Sequence, residues 1–444
     1  MVQESAKGIE RAIPFLFYAL LFISPLVYYT HIQDFSNLPK ATFIQLVSCL
    51  LLIFWLLRAR AIGRMETVRH PVIIAVGLWL LWSGITILWS GNRFAGITLW
   101  LHWLMCAACF FVFINTIRST KELDRVVLFS VLGAAVISVI GILQYAIAWD
   151  FIPQGAVPGG TFSNRNVAVQ FIVILWPFSL LMFLMERDRI RYWLWAFGHA
   201  LIMIFLLYSR TRAGWAAVLF SIFMLGLFLS SSVFRRDIRG LMPRDKTIVL
   251  IASVIFIIAM AMVPQQTTRG QARTRGYMES LASISGYEGS SRISTAKVRM
   301  ALYRNSLEII RDHPFTGVGL AAWQIYYPMY QRSVQADPIF SSKEQPEYME
   351  NDPLQVLVET SVLGLILYAS MFIVILWRAL IAFRGTKEAS VRLRVIFGVI
   401  AIIAFNINSL FTFPLRMTIP PLFLMIIFGY IVSLDIQTMK DGIT

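Results

Sequence analysis

Charge is what this chain is short of. Only 14% of its 444 residues are Asp, Glu, Lys or Arg and 58% are apolar, whereas soluble domains carry roughly 25% charge. That balance excludes an ordinary soluble domain. It also removes the usual meaning of a net charge of +15, which in a soluble protein would suggest nucleic acid; no nucleic-acid partner is expected. Cysteine is nearly absent: Cys49, Cys106 and Cys109 all fall in apolar runs, so no loop disulfide is expected. Cys106 and Cys109 have C-x-x-C spacing, but three apart on an apolar helix they read as small packing residues. Histidine is scattered, with His102 and His199 in apolar runs, His70 expected on the cytoplasmic side and His31 and His313 on the outer side. Nothing clusters with metal-ligand spacing, and neither metal nor cofactor is expected.

What the chain has is length of apolar run. About 20 residues cross a hydrocarbon core of about 30 Å, and twelve runs qualify, near 13–31, 41–57, 71–90, 96–116, 126–149, 167–185, 192–208, 214–231, 247–263, 354–377, 391–413 and 418–435. The expected fold is all-α, polytopic and in contact with membrane lipid throughout. No small-residue cleavage pattern follows the first run, so Met1–Arg11 reads as a mature terminus. The chain divides into nine spans over 1–263, a polar interval over 264–353, and three spans with a tail over 354–444.

Reading charge loop by loop orients the spans. With the N-terminus inside, the even-numbered connections hold Arg58, Arg60, Arg64 and Arg69; Arg118, Lys121 and Arg125; Arg187, Arg189 and Arg191; Arg235, Arg236, Arg239, Arg244 and Lys246; and Arg378, Arg384, Lys387, Arg392 and Arg394. Short odd-numbered connections hold one or two cations each, so both termini are expected in the cytoplasm. The polar interval then lies outside. Its ten Lys or Arg and nine Asp or Glu, with Gly, Pro and aromatics throughout, mark a folded segment rather than a linker. Long loops escape the charge rule.

Arginines on the outer face need a reason. Gly159-Gly160-Thr161-Phe162-Ser163-Asn164-Arg165-Asn166 opens a span with turn-forming residues, giving either an anion site at a helix N-terminus or a plain re-entrant turn. Arg210 and Arg212 stand two residues apart at the mouth of two spans. They snorkel to headgroups, or present planar bidentate donors to a diphosphate. Within the polar interval, Arg299 and Arg304 have helical spacing and with Arg292 are candidates to converge on the same anion. Arg304 and Glu308, at i and i+4, are equally an ordinary surface pair. His313 before Pro314 reads as a capping or packing residue. Glu344, Glu347, Glu350 and Asp352 end the interval, either as a helix N-terminal cluster or as groups that polarise an acceptor hydroxyl. Gln355 and Glu359 follow on one face of the next span, and a carboxylate at that depth is a functional candidate.

Five landmarks occur in order: Phe162-Ser163-Asn164-Arg165-Asn166; Ser209-Arg210-Thr211-Arg212-Ala213-Gly214-Trp215; Arg299 with Tyr303-Arg304; His313-Pro314-Phe315-Thr316-Gly317-Val318-Gly319; and Asn351-Asp352-Pro353-Leu354-Gln355 with Glu359 and Gly364. With twelve spans and one large outer loop before the tenth, they resemble the O-antigen ligase and O-antigen polymerase superfamily, GT-C-type glycosyltransferases of the bacterial inner membrane. The resemblance implies a periplasmic active face and metal-independent transfer of a glycan from undecaprenyl diphosphate to an acceptor sugar hydroxyl. The acceptor would be on a lipid-linked chain or on lipid A core.

It also implies that Arg210 or Arg212, with Arg299 or Arg304, holds the diphosphate, and that Glu350 stands where ligases of the family usually carry a His. Asn351, Asp352, Glu347, Gln355 and Glu359 would then lie on the acceptor side. The Glu350 departure favours a repeat-unit polymerase over a ligase or a protein O-oligosaccharyltransferase. A lipid-linked sugar transporter is the reading of another class, and it calls for inverted repeats that are not visible here.

Overall fold

The structure, a computed structural model, describes residues 2–65, 67–263, 295–334 and 346–441. The fold is an all-α bundle with a helical cap: α1 (Val2–Ile23), α2 (Asn37–Ile62), α3 (Pro71–Thr86), α4 (Arg93–Thr116), α5 (Thr120–Ala146), α6 (Arg165–Met185), α7 (Arg189–Ser209), α8 (Arg212–Ser230), α9 (Ser232–Leu241), α10 (Arg244–Ala261), α11 (Thr295–Asp312), α12 (Trp323–Val334), α13 (Asp352–Gly385), α14 (Ala389–Ser409) and α15 (Ile419–Asp441). Local signals set the ends. Ser119 and Glu122 form a capping box on α5. His70 caps α3 ahead of Pro71, and Asn92 and Asn164 cap α4 and α6 with their side-chain oxygens.

Among the described residues ten helices are long and apolar enough to cross a membrane, and the chain is an all-α polytopic membrane protein. The two expected spans outside that set are α1 and α10. Charges intrude on both: Lys7, Glu10 and Arg11 in one, Arg244, Asp245 and Lys246 in the other. α6 and α15 are the central posts, buried along 89% and 94% of their apolar stretches. α8, by contrast, is buried along only 28% and sits at the rim.

The end of the bundle opposite the cap is stapled by arginines that the sequence suggested only as orientation signals. Arg394 holds Asp124 through Nε at 2.9 Å and Nη2 at 2.8 Å. Arg392 grips both oxygens of Asp237 at 2.7 Å, and Arg378 meets Asp435 at 2.6 Å beside His70. The first two pairs, both bidentate, tie α14 to α5 and α9, and the third ties α13 to α15. The cation-rich connection after α8 is itself the helix α9, seated through Phe234 and Asp237.

At the other end, α11 and α12 form a cap with a small core of Leu302, Ile309, Trp323 and Tyr327, packed on Met349 and Val358. The loop between them docks into a break in α13. Ser361 adopts φ 70° and ψ −178°, which interrupts the helical ladder and frees the carbonyls before it. Val358 and Glu359 carbonyls accept from Val318 and Gly319 N–H at 3.0 and 2.9 Å, and the Thr360 carbonyl accepts from Trp82 Nε1 at 2.7 Å. Glycine is required at two of these loop positions. Gly317 and Gly319 have φ +64° and +91°, and a Cβ on either would lie 2.5 Å from the Glu359 carbonyl oxygen or 2.4 Å from Ser90 Cα.

Candidate functional site

Two polar clusters lie at the cap end. The first is built where α7 turns into α8. Arg210 closes α7 in a left-handed conformation, φ 51°, so its side chain turns back over α5. Its Nη2 donates to the Tyr145 hydroxyl at 2.9 Å, with the guanidinium 5.7 Å from that ring. Tyr145 stacks on Tyr208 at 3.9 Å, whose hydroxyl donates to the Met260 carbonyl. Thr211 reaches across to Asn166 at 3.2 Å, and Arg165 lies near enough to feel the charge of Arg210. Like charges at such range repel, and a bound polyanion relieves that repulsion.

In the turn leading into α6, the backbone N–H groups that open the helix are used within the turn. Arg165 N–H donates to Ala156, Val167 and Ala168 N–H to the Asn164 carbonyl, and Asn166 N–H to Asn164 Oδ1 at 2.8 Å. Asn164 is therefore a cap. The turn is held by residues that sequence reading missed. Gln144 bonds both N–H and carbonyl of Gly160 at 2.8 and 2.9 Å. Lys40, fully buried, donates to the carbonyls of Thr161 at 3.0 Å and Val27 at 2.8 Å and lies 4.6 Å over the Phe162 ring. A lone Lys and a lone Gln in or beside apolar runs were the signals available.

The second cluster lies under α11. Arg299 Nε and Nη2 both approach Glu350 Oε2 at 2.5 Å. Glu350 has φ 58°, a strained conformation for a residue with a Cβ, and Tyr303 donates to its carbonyl at 3.2 Å. Burial pushes the Tyr303 phenol above its ordinary range, so it remains a donor at neutral pH. Among the described hydrogen bonds none reaches Glu350 Oε1. Arg304 is exposed on α11; the expected surface pair with Glu308 is replaced by Arg311 with Glu308 at 3.8 Å. Arg292 and Glu344 lie outside the described residues. His313 packs edge-on against Tyr326.

The acids beyond Glu350 divide by environment. Asn351 caps α13 by accepting from Leu354 N–H and ties it to the Leu410 carbonyl. Asp352 is fully buried and accepts from Leu415 N–H at 2.8 Å. Glu347 is exposed. Glu359 accepts from Gln355 Nε2, four residues earlier on the same face, at 3.0 Å, from Ala321 N–H at 2.9 Å and from Arg416 Nη1 at 2.8 Å. Arg416 was missed, although it too is an arginine in a short connection between late spans. Among the described residues no group of His, Cys, Asp or Glu could hold a metal ion.

No curated protein matches this chain. A family model described as O-antigen ligase matches residues 196–369, from within α7 to within α13. The matched segment contains the Arg210 turn, the cap, Glu350 and the broken start of α13, and over this segment the chain is similar to the O-antigen ligase family, which supports the O-antigen ligase and polymerase superfamily.

Proposed function

We propose that this membrane protein transfers a glycan from undecaprenyl diphosphate to an acceptor sugar hydroxyl at the cap end, which lies in the periplasm, with both termini in the cytoplasm. The observation that carries this reading is the Arg299–Glu350 pair at the head of α13. One guanidinium presents Nε and Nη2 to the carboxylate, which leaves Nη1 to meet a phosphate oxygen. Glu350 Oε1 is then placed to accept the proton of the attacking hydroxyl. The acceptor oxygen bonds to the anomeric carbon as the bond to the diphosphate oxygen breaks. The electron pair leaves with the lipid diphosphate, the proton passes to Glu350, and the anomeric configuration inverts. Arg210, Arg212 and Arg165, with Arg299 and the exposed Arg304, stabilise the growing charge on the leaving group. The residues need no metal for this.

Within that chemistry the chain is a repeat-unit polymerase, because Glu350 precedes Asn351 where ligases of the family usually carry a His. The ligase reading is kept because the matching family is described as O-antigen ligase. A deletion strain separates the two. Single repeats correctly attached to their final acceptor mark a lost polymerase; long chains accumulating on undecaprenyl diphosphate mark a lost ligase. No change in either pool would refute both and return the transporter reading.

A further inference from the structure

Near Glu350 lies a recess of different chemistry. A cavity of about 420 Å³ opens between the cap-end halves of α2 and α4, beneath Ala321. Its polar lining is richest in carboxylates and amides, among them Asp34, Asn37, Gln324, Glu347, Gln355 and Glu359, with His102, Thr98, Tyr348 and Thr418 beside them. Among the described lining residues the only guanidinium or ammonium is Arg416, already neutralised by Glu359. The Arg416 side chain is 3% exposed, and its Nε and Nη2 have no hydrogen-bond partner.

A phosphate does not suit this lining, since three carboxylates face one cation. A sugar does: each hydroxyl donates to a carboxylate and accepts from an amide or guanidinium N–H. The remaining wall is apolar, with Leu38 and Ala41 from α2 and Phe94 and Leu99 from α4. Phe94 and Leu38 are 83% and 55% exposed on two helices suited to cross the membrane. The apolar side of the cavity is thus continuous with surface that lies in lipid. Gln355, on the lining, accepts from the N–H of Met349 at 3.2 Å, which places the cavity beside Glu350.

We infer that this cavity binds a sugar of a lipid-borne glycan, with the hydroxyls on the acid and amide lining and the lipid along the α2–α4 seam. Naming that glycan as the acceptor rests on the transferase reading; the site itself does not. The probe is decyl glucoside with a photoactivatable diazirine in its chain, applied to the full protein in phospholipid nanodiscs, with adducts mapped by mass spectrometry. Adducts should concentrate on residues 37–45 and 92–99 and be competed by decyl glucoside but not by decanol. Ala41→Trp and Thr98→Phe, which obstruct opposite walls, should each cut labelling by about tenfold or more. Undiminished labelling in both variants, or equal competition by decanol, overturns the site.

The same variants should raise the KM for acceptor and leave donor binding unchanged. Lost donor binding with unchanged acceptor KM would overturn the acceptor assignment. Specific labelling of a wild-type protein that transfers no glycan would sink the transferase reading while the sugar site stands. Transfer without specific labelling would sink the site alone.

Discussion

Replacing Arg416 by Met tests whether Glu359 is ionised and held by that guanidinium. Both side chains are buried, at 3% and 0% exposure, and lie 2.8 Å apart. Removing the arginine leaves the buried carboxylate with two neutral donors, Gln355 Nε2 and Ala321 N–H. Breaking one partner of a buried pair costs about 3–5 kcal/mol, or about two to four powers of ten in the unfolding equilibrium. Glu359→Gln alone strands Arg416, whose other nitrogens already lack partners, at a similar cost. The double variant Glu359→Gln/Arg416→Met removes both charges. Because pairs replaced by apolar or neutral groups are often near neutral, it should recover most of the loss. The assay is a double-mutant cycle on unfolding in mixed micelles, with cap docking followed by protease access to the loop at Gly317–Ala321. Losses in the two single variants that simply add in the double one would refute a charge pair here.

Gly317→Ala places a Cβ 2.5 Å from the Glu359 carbonyl oxygen at φ +64°, so the cap loop should undock at a cost of about 1–3 kcal/mol and glycan transfer should fall. Wild-type protease resistance in this variant would refute the docking account. Arg210→Ala should abolish transfer at normal protein level, and Arg210→Lys should keep a fraction of it, since the fork geometry on Tyr145 and phosphate is lost. Full activity in both Arg210→Ala and Arg212→Ala would remove the diphosphate clamp. Glu350→Gln keeps the shape and loses the proton acceptor, so kcat should drop by about two to four powers of ten while donor binding persists; unchanged kcat would relieve Glu350 of the role. Lys40→Met should loosen the Thr161 turn and weaken donor binding without touching any reacting group, which is read as a raised donor KM with protein level kept.

The long apolar runs were sufficient to show an α-helical membrane bundle, because the need to satisfy every backbone group in lipid leaves a run of that length few other forms. The landmarks around Arg210, Arg299, Gly317 and Asn351 were legible as well, since turn glycines, paired guanidiniums and caps are local in sequence. What each landmark does was decided only by tertiary structure. The two glycines of the Gly317–Gly319 motif dock a loop against the Ser361 break, and no local pattern announced that break. Asp352 and Glu350 are two residues apart, yet one is sealed against Leu415 and the other faces Arg299 with an oxygen to spare. Glu359 found its counter-charge 57 positions away, in Arg416. Hydrophobicity is a property of each segment, and so the spans could be read along the chain. The partner of a buried charge depends on which helices come to lie side by side, and that is a property of the packed bundle alone.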